Sequence, residues 1–343
     1  MFGLWTQVLA ADVVRIATYN PDLVRAGPGL LLQSIDRRND DQIDAVVAIL
    51  VHLDADIVLL TGVDYDYGQS ALRELAANLG ERGLDYPYLL PLRPNTGVPT
   101  GLDLDGNGRL GEARDAQGFG RFAGSAGMAI LSRYPIGVPR DFSGLLWRDL
   151  PGADLPPDMI PAVKDVQLLS TSGHYEVPVT IGDASLRLLV WYATPPVFDG
   201  PEDRNGRRNK DETALWLRLL EGGLPWAPPV APFVVLGQSS LDPADGDGLH
   251  AGVRALLTHP ALQDPQPKGS SARNDPGHYG DAAHDTAFYD KGVGGLRVDL
   301  LLPSADLTVQ DAAVLWPPDT DPLAITLATA SRHRPVWADI VLP

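Results

Sequence analysis

The sequence predicts an α/β protein built on a mixed sheet system, and three observations predict it. Strand-like and helix-like segments alternate from end to end. Several of the strand segments are short, unbroken apolar runs, which mark strands covered on both faces. No linker or shift of composition marks a second domain, so residues 1–343 read as one.

Taken in order, Val14–Tyr19 alternates and stops at Asn20-Pro21, a strand running into a turn. Asp41–Leu53 places Ile43, Val46, Val47, Leu50 and Val51 on one helical face. Asp56–Leu60 is an apolar run and predicts a buried strand; Ser70–Leu79 predicts a second helix. Pro91–Ser125 is Gly-rich and polar and predicts a long loop. Met128–Leu131 predicts another buried strand, stopped by Ser132-Arg133-Tyr134-Pro135. Later strands are predicted at Val166–Leu169, Val177–Ile181, Leu186–Tyr192, Phe233–Leu236, Val298–Leu302 and Val336–Val341. Helices at Lys210–Leu220 and Leu249–Leu257 fall between them. Gly (35) and Pro (31) are scattered throughout, so many turns and long loops join short elements.

At 343 residues and 44% apolar, the chain has ample material for a buried core. Carboxylates number 44 against 27 basic residues, a formal charge of -17 that disfavours non-specific nucleic-acid coating and anionic membranes. There is no Cys, which excludes disulfides, thiolate nucleophiles and Cys-ligated zinc. No apolar run reaches the roughly 18 residues of a membrane span. The segment Met1–Ala11 lacks a basic start and a long apolar stretch, so it is not a complete signal peptide. Its Leu9-Ala10-Ala11 is compatible with residues 1–12 being the remnant of one.

Several blocks stand together in one order. They are Arg15-Ile16-Ala17-Thr18-Tyr19-Asn20, Asp56–Asp64, Gly127-Met128-Ala129-Ile130-Leu131-Ser132-Arg133-Tyr134-Pro135, Thr194-Pro195-Pro196-Val197-Phe198-Asp199-Gly200, Arg297-Val298-Asp299 and Ser331-Arg332-His333-Arg334. In this order they resemble the endonuclease/exonuclease/phosphatase superfamily, and the Thr-Pro-Pro block resembles a bacterial, mostly exported branch of it. The resemblance implies a four-layer α/β/β/α sandwich of two mixed sheets flanked by helices, with the site at one open end. It also implies phosphoester hydrolysis assisted by Mg²⁺ or Mn²⁺, and a periplasmic or secreted location. In such chemistry the metal neutralises phosphate and the leaving oxygen, while Asp and His groups accept the proton of an attacking water.

Position by position, the resemblance implies that Asn20, Asp299 and His333 are retained site residues. It implies five substitutions: Gly62 for a metal-binding Glu, Tyr192 for a His, Gln238 for the water-activating Asp, Ser240 for an Asn, and Arg332 for the Asp that precedes the last His. Gly offers no side-chain ligand, Gln cannot accept a proton usefully, and Arg332 would disfavour protonation of His333. Asp64, with Asp66 beyond it, is a weak replacement ligand; otherwise both are loop carboxylates. The expectation is a family protein with lost or much reduced hydrolysis, holding at most a phosphate-bearing small molecule. The alternative is an active metal-dependent phosphodiesterase or phosphatase with a rearranged site, needing Mg²⁺ or Mn²⁺.

Two further clusters carry expectations. Asp103, Asp105 and Asn107 alternate ahead of Gly108, and the carbonyl of Arg109 follows. This is the front half of a calcium loop, closed by Glu112 or Asp115, or else a polar turn. Any such Ca²⁺ would be structural. Arg204, Arg207 and Arg208 form a local basic cluster that either holds phosphate or pairs with neighbouring acids. His174 either lines the cleft with them or is a packed core histidine.

Overall fold

The computed structural model describes residues 13–342 apart from Ala272 and Lys291; the candidate signal remnant lies outside the described residues. In chain order the elements are β1 (Val13–Tyr19), α1 (Leu30–Asp36), α2 (Asp41–Leu53), β2 (Ile57–Val63), α3 (Ser70–Gly80), β3 (Tyr88–Leu92) and β4 (Gly127–Ser132). Then come β5 (Arg140–Asp141), α4 (Pro161–Lys164), β6 (Gly173–Ile181), β7 (Ala184–Tyr192), α5 (Arg204–Leu220), β8 (Phe233–Gln238) and α6 (Ala251–Leu257). The last are β9 (Ala287–Tyr289), β10 (Gly294–Leu296), β11 (Asp299–Pro303), β12 (Thr308–Val314), α7 (Pro322–Ala330) and β13 (Val336–Val341).

Two mixed sheets result, ordered β12-β13-β1-β2-β4-β3 and β11-β8-β7-β6-β5, with β9 and β10 forming a separate hairpin. One pair in each sheet is parallel, β1 with β2 and β7 with β8. The unbroken apolar runs have a simple cause. In β2, Val58 and Leu60 pack with the helices while Ile57 and Leu59 face the other sheet. In β7, Leu188 and Val190 face the first sheet while Leu189 and Trp191 pack with Trp216 and Leu215 of α5. Because side chains alternate along a strand, a strand sandwiched between two apolar layers must be apolar at every position. The layers are thus α/β/β/α.

Local signals fix the ends of elements. The Asp40 side chain accepts hydrogen bonds from Gln42 N and Ile43 N and caps α2. Asp66 does the same for α3, accepting from Ser70 N at 2.8 Å and Ala71 N at 2.9 Å.

Some expectations are corrected. Val166–Leu169 is not a strand; it makes one isolated bridge, Leu146 with Leu168. Side chains serve its backbone instead: Gln117 Oε1 accepts from Leu168 N, and Arg208 donates to Leu168 O and Leu169 O. The loop at Pro91–Ser125 is shorter than predicted, because β3 includes Pro91 and Leu92. Pro is tolerated there because β3 is an edge strand. Helices α1 and α7 and strand β12 lie where the sequence pattern had predicted no element.

Candidate functional site

The retained and substituted positions converge at one end of the two sheets. Tyr192, Gln238 and Asp299 lie side by side, since Gln238 is the register partner of both. On the facing sheet, Tyr19 pairs with Leu60, which sets Asn20 beside Thr61. Asn20 Nδ2 donates to Gln238 Oε1 at 2.6 Å, joining the sheets, and Thr61 Oγ1 donates to the same oxygen at 3.3 Å. Gln238 Nε2 donates to Ser240 Oγ at 3.2 Å, and Ser240 Oγ donates to Ala193 O at 3.0 Å. Asn20 is 2% exposed and Gln238 5%. The centre of the cleft is therefore a closed chain of neutral amides and hydroxyls.

Gly62 is the extra residue of a bulge in the β2–β4 ladder, at φ +61°. A Cβ there would fall 2.4 Å from Asn20 Oδ1 and 2.9 Å from Asn20 Cγ. The Asn20 amide thus occupies the space that any side chain at 62 would enter.

Beside this chain lies a pair that can move a proton. His333 Nδ1 sits 2.8 Å from Asp299 Oδ2, and both residues are buried. A carboxylate accepts, so Nδ1 carries the hydrogen and Nε2 keeps a lone pair. Thr286 Oγ1 donates to the same Asp299 oxygen at 3.0 Å, while Asp299 Oδ1 is buried with no partner. His333 is held by its backbone too: His333 N donates to Ser331 Oγ, and Ser331 Oγ donates to Asn20 O at 2.7 Å. Arg332 turns away to Asp22, its Nε 3.1 Å from Asp22 Oδ2, and that carboxylate holds the guanidinium protonated. The Tyr192 phenol is pushed up, first by burial and then by Asp22 and Asp299; Tyr289, edge-on to His333, is pushed up in the same way. Neither phenol is a base at neutral pH.

A hard divalent cation takes oxygen ligands, and a protein Mg²⁺ site is anchored by one or two carboxylates. The amide chain supplies no carboxylate, and Asp299 gives one oxygen to His333 and Thr286. Asp64 is spent on the backbone, accepting from Arg25 N at 2.7 Å and Ala126 N at 3.1 Å, and burial raises its pKa. Asp66 is the cap of α3. These residues do not fit a carboxylate-anchored metal centre. Among the described residues, one group of three acids offers ligand atoms within 4.8 Å of one another, and it lies elsewhere, at Asp103, Asp105 and Asp115.

A family model, Endonuclease/Exonuclease/phosphatase, matches residues 31–333. The chain belongs to this family. Family membership places it in a superfamily of phosphoester hydrolases. No curated protein matches it significantly in sequence. The fold is shared with an endonuclease/exonuclease/phosphatase from Beutenbergia cavernae, at 15% identity over 96% of this chain and 72% of that one, TM-score 0.57. It is shared with a 3′ phosphatase from Neisseria bound to a product DNA hairpin, at 18% identity over 96% and 100%, TM-score 0.52. It is shared with beta toxin from Staphylococcus aureus with bound magnesium ions, at 12% identity over 96% and 99%, TM-score 0.51.

The other predicted residues of this family member lie outside the Asp299–His333 cluster. Arg204 donates to Leu104 O and Gln167 Oε1, Arg207 pairs with Asp154, and buried Arg208 donates to Gln117 O, Leu168 O and Leu169 O. The three guanidiniums are ties between α5 and the preceding loops. Burial lowers Arg208 to about 10. His174 is fully buried; its Nδ1 meets Ser170 Oγ at 2.7 Å and its Nε2 meets Glu212 O at 2.9 Å. Burial depresses it to about 3, so it is a neutral core histidine. In the acidic loop, Asp103 accepts from Gly106 N, Asn107 N and Gly108 N, and these bonds, led by Gly108 N, hold its pKa down. Asn107 Nδ2 donates to Asp105 and Glu112, its Oδ1 accepts from Arg109 N, and buried Asp115 accepts from Leu104 N and Glu112 N.

Sequence reasoning missed Asp22, Thr286 and Tyr289. Asp22 follows Asn20-Pro21 directly, and that proximity was a usable signal. Nothing local marks Thr286 or Tyr289, which reach the site because Ala287 bridges His333 across a long gap in sequence.

Proposed function

We propose that this family member has lost, or retains little of, metal-dependent phosphoester hydrolysis, and that its cleft binds a phosphate-bearing small molecule without cleaving it. The supporting observation is the 2.6 Å contact of Asn20 with Gln238, made in the space beside Gly62. By resemblance, Gly62 and Gln238 stand where the family carries a ligand Glu and a water-activating Asp. Single losses of such groups cost about 10²- to 10⁴-fold in rate. A bis-aryl phosphate incubated with Mg²⁺, Mn²⁺ or Ca²⁺ is expected to show no turnover above buffer. Turnover that disappears in Asp299→Ala and His333→Ala would overturn the reading.

That second outcome corresponds to an active divalent-metal phosphodiesterase or phosphatase with a rearranged shell. One observation favours it: the Asp299–His333 pair is intact, and Asp299 Oδ1 is free of partners. In such an enzyme His333 Nε2 would accept a proton and Asp299 would orient it.

The loop at Asp103, Asp105 and Asp115 is proposed to hold a structural Ca²⁺, supported by the grouping of their oxygens within 4.8 Å. Melting temperature should rise with added CaCl₂, and Asp105→Asn should abolish the rise; an unchanged melting curve in CaCl₂ refutes it. A periplasmic or secreted location rests on the resemblance to exported relatives, and the expectation of no non-specific nucleic-acid binding rests on the charge of -17. No helix among the described residues is long and apolar enough to cross a membrane.

A further inference from the structure

The second sheet carries a groove remote from the Asp299–His333 cluster. It has a volume of about 260 Å³. Its base is formed by Arg140 on β5, Glu176 on β6 and Arg187 on β7, on the sheet face opposite the inter-sheet core. Its walls are Val138, Pro178, Pro228 and Val230, with Val138 89% and Val230 67% exposed. Arg187 and Tyr192 lie five residues apart on one strand, about 16 Å, which separates the groove from the cleft.

The charges at the base are unequal. Glu176 is 3% exposed and is shared by two guanidiniums: Arg187 Nη1 donates to its Oε1 at 2.9 Å, and Arg140 Nη2 pairs with its Oε2. Arg140 also donates from Nη1 to Ala227 O at 2.9 Å, so it is an anchor that fixes the groove wall. Arg187 is different. Its side chain is 34% exposed and, among the described residues, its only side-chain bond is through Nη1, which leaves Nε and Nη2 without a protein partner. That edge matches the two oxygens of a carboxylate. Two guanidiniums against one carboxylate leave one net positive charge, set in apolar walls, on a chain of net charge -17.

We infer that this groove is a binding site for a small monocarboxylate with a compact apolar body, its carboxylate on the Nε–Nη2 edge of Arg187 and its body against Val138, Pro178 and Val230. The volume lies below the roughly 300–1,000 Å³ of drug-sized sites, which limits the ligand to a short acid. The inference is independent of the reading of the cleft.

Calorimetric titration of the full chain with isovalerate, and with isovaleramide as the neutral isostere, tests it. Isovalerate should bind saturably at one site and isovaleramide should not. Arg187→Lys keeps the charge but removes the two-pronged edge, and should weaken binding about tenfold. Val230→Trp fills the groove without touching its charges, and should abolish binding even if Arg187 variants fold poorly. No saturable heat for isovalerate up to about 20 mM, equal binding of the amide, or unchanged affinity in Val230→Trp would each overturn the assignment.

Discussion

At the scale of single residues, Gly62 and Asn20 decide what the cleft can hold. The αL backbone at Gly62 disfavours any side chain, and the Asn20 amide stands 2.4 Å from where the first carbon would go. Gly62→Ala is therefore expected to destabilise the fold by about 1–3 kcal/mol, read as a lower urea midpoint at unchanged slope. Gly62→Glu should lose stability as well and gain no Mn²⁺ affinity by calorimetry, unless Asn20 is also shortened; Mn²⁺ binding by the single variant would refute the packing argument. Asn20, Asp299 and His333 could be singled out because each lies in or beside a recognisable block: Asn20 just after β1, Asp299 at the start of β11 and His333 shortly before β13. The hydrogen bond between Asp299 and His333 was not. The sequence suggested that Arg332 would act on His333, yet Arg332 pairs with Asp22, and Asp299 supplies the orienting carboxylate. Such pairings depend on loop geometry that no local pattern encodes.

Among the elements, α5 ties together the segments that flank β6 and β7. Glu212 on α5 is fully buried and accepts from Thr171 N at 2.6 Å and Thr194 N at 2.7 Å, tying together the segments before β6 and after β7. Burial, opposed by Arg208 and these two N–H groups, pushes its pKa up to about 7. Between the ordinary value of 4.5 and about 7 the folded chain then holds a proton that the unfolded chain has lost. Stability must fall as pH rises through that window, by up to about 3 kcal/mol from this group. Urea midpoints should be lower at pH 8 than at pH 5, and Glu212→Gln, though less stable, should flatten that dependence; an equally steep dependence in the variant would exclude Glu212 as its source. Asp285, also raised to about 7 by burial, acts in the same direction, while His174, depressed to about 3, acts in the opposite one below its ordinary value of 6.5, so the Glu212→Gln comparison is the reading that isolates Glu212. Elements with strong periodic patterns, such as α2 and β2, were legible. The edge strands β3 and β12 were not: Pro87 and Pro91 flank and interrupt the apolar run of β3, and β12 exposes Gln310 and Asp311 in its middle and so lacks such a run.

For the whole molecule, the α/β class followed from alternation alone, while the number of layers needed the resemblance. Periodicity marks a strand as buried on both faces but does not say whether helix or sheet does the covering. The structure resolves that ambiguity at β2 and β7, each of which has helices on one face and the opposing sheet on the other. The first sheet also joins distant parts of the chain: β1 pairs antiparallel with β13, Val13 opposite Val341, and β13 lies between β12 and β1. The ribosome makes β1 early and β13 late, tens of seconds apart at roughly 5–20 residues per second. Throughout that interval the nascent polypeptide carries a row of unpaired amides along the flank of β1, a natural target for chaperone capture or for mispairing with a neighbouring polysome product.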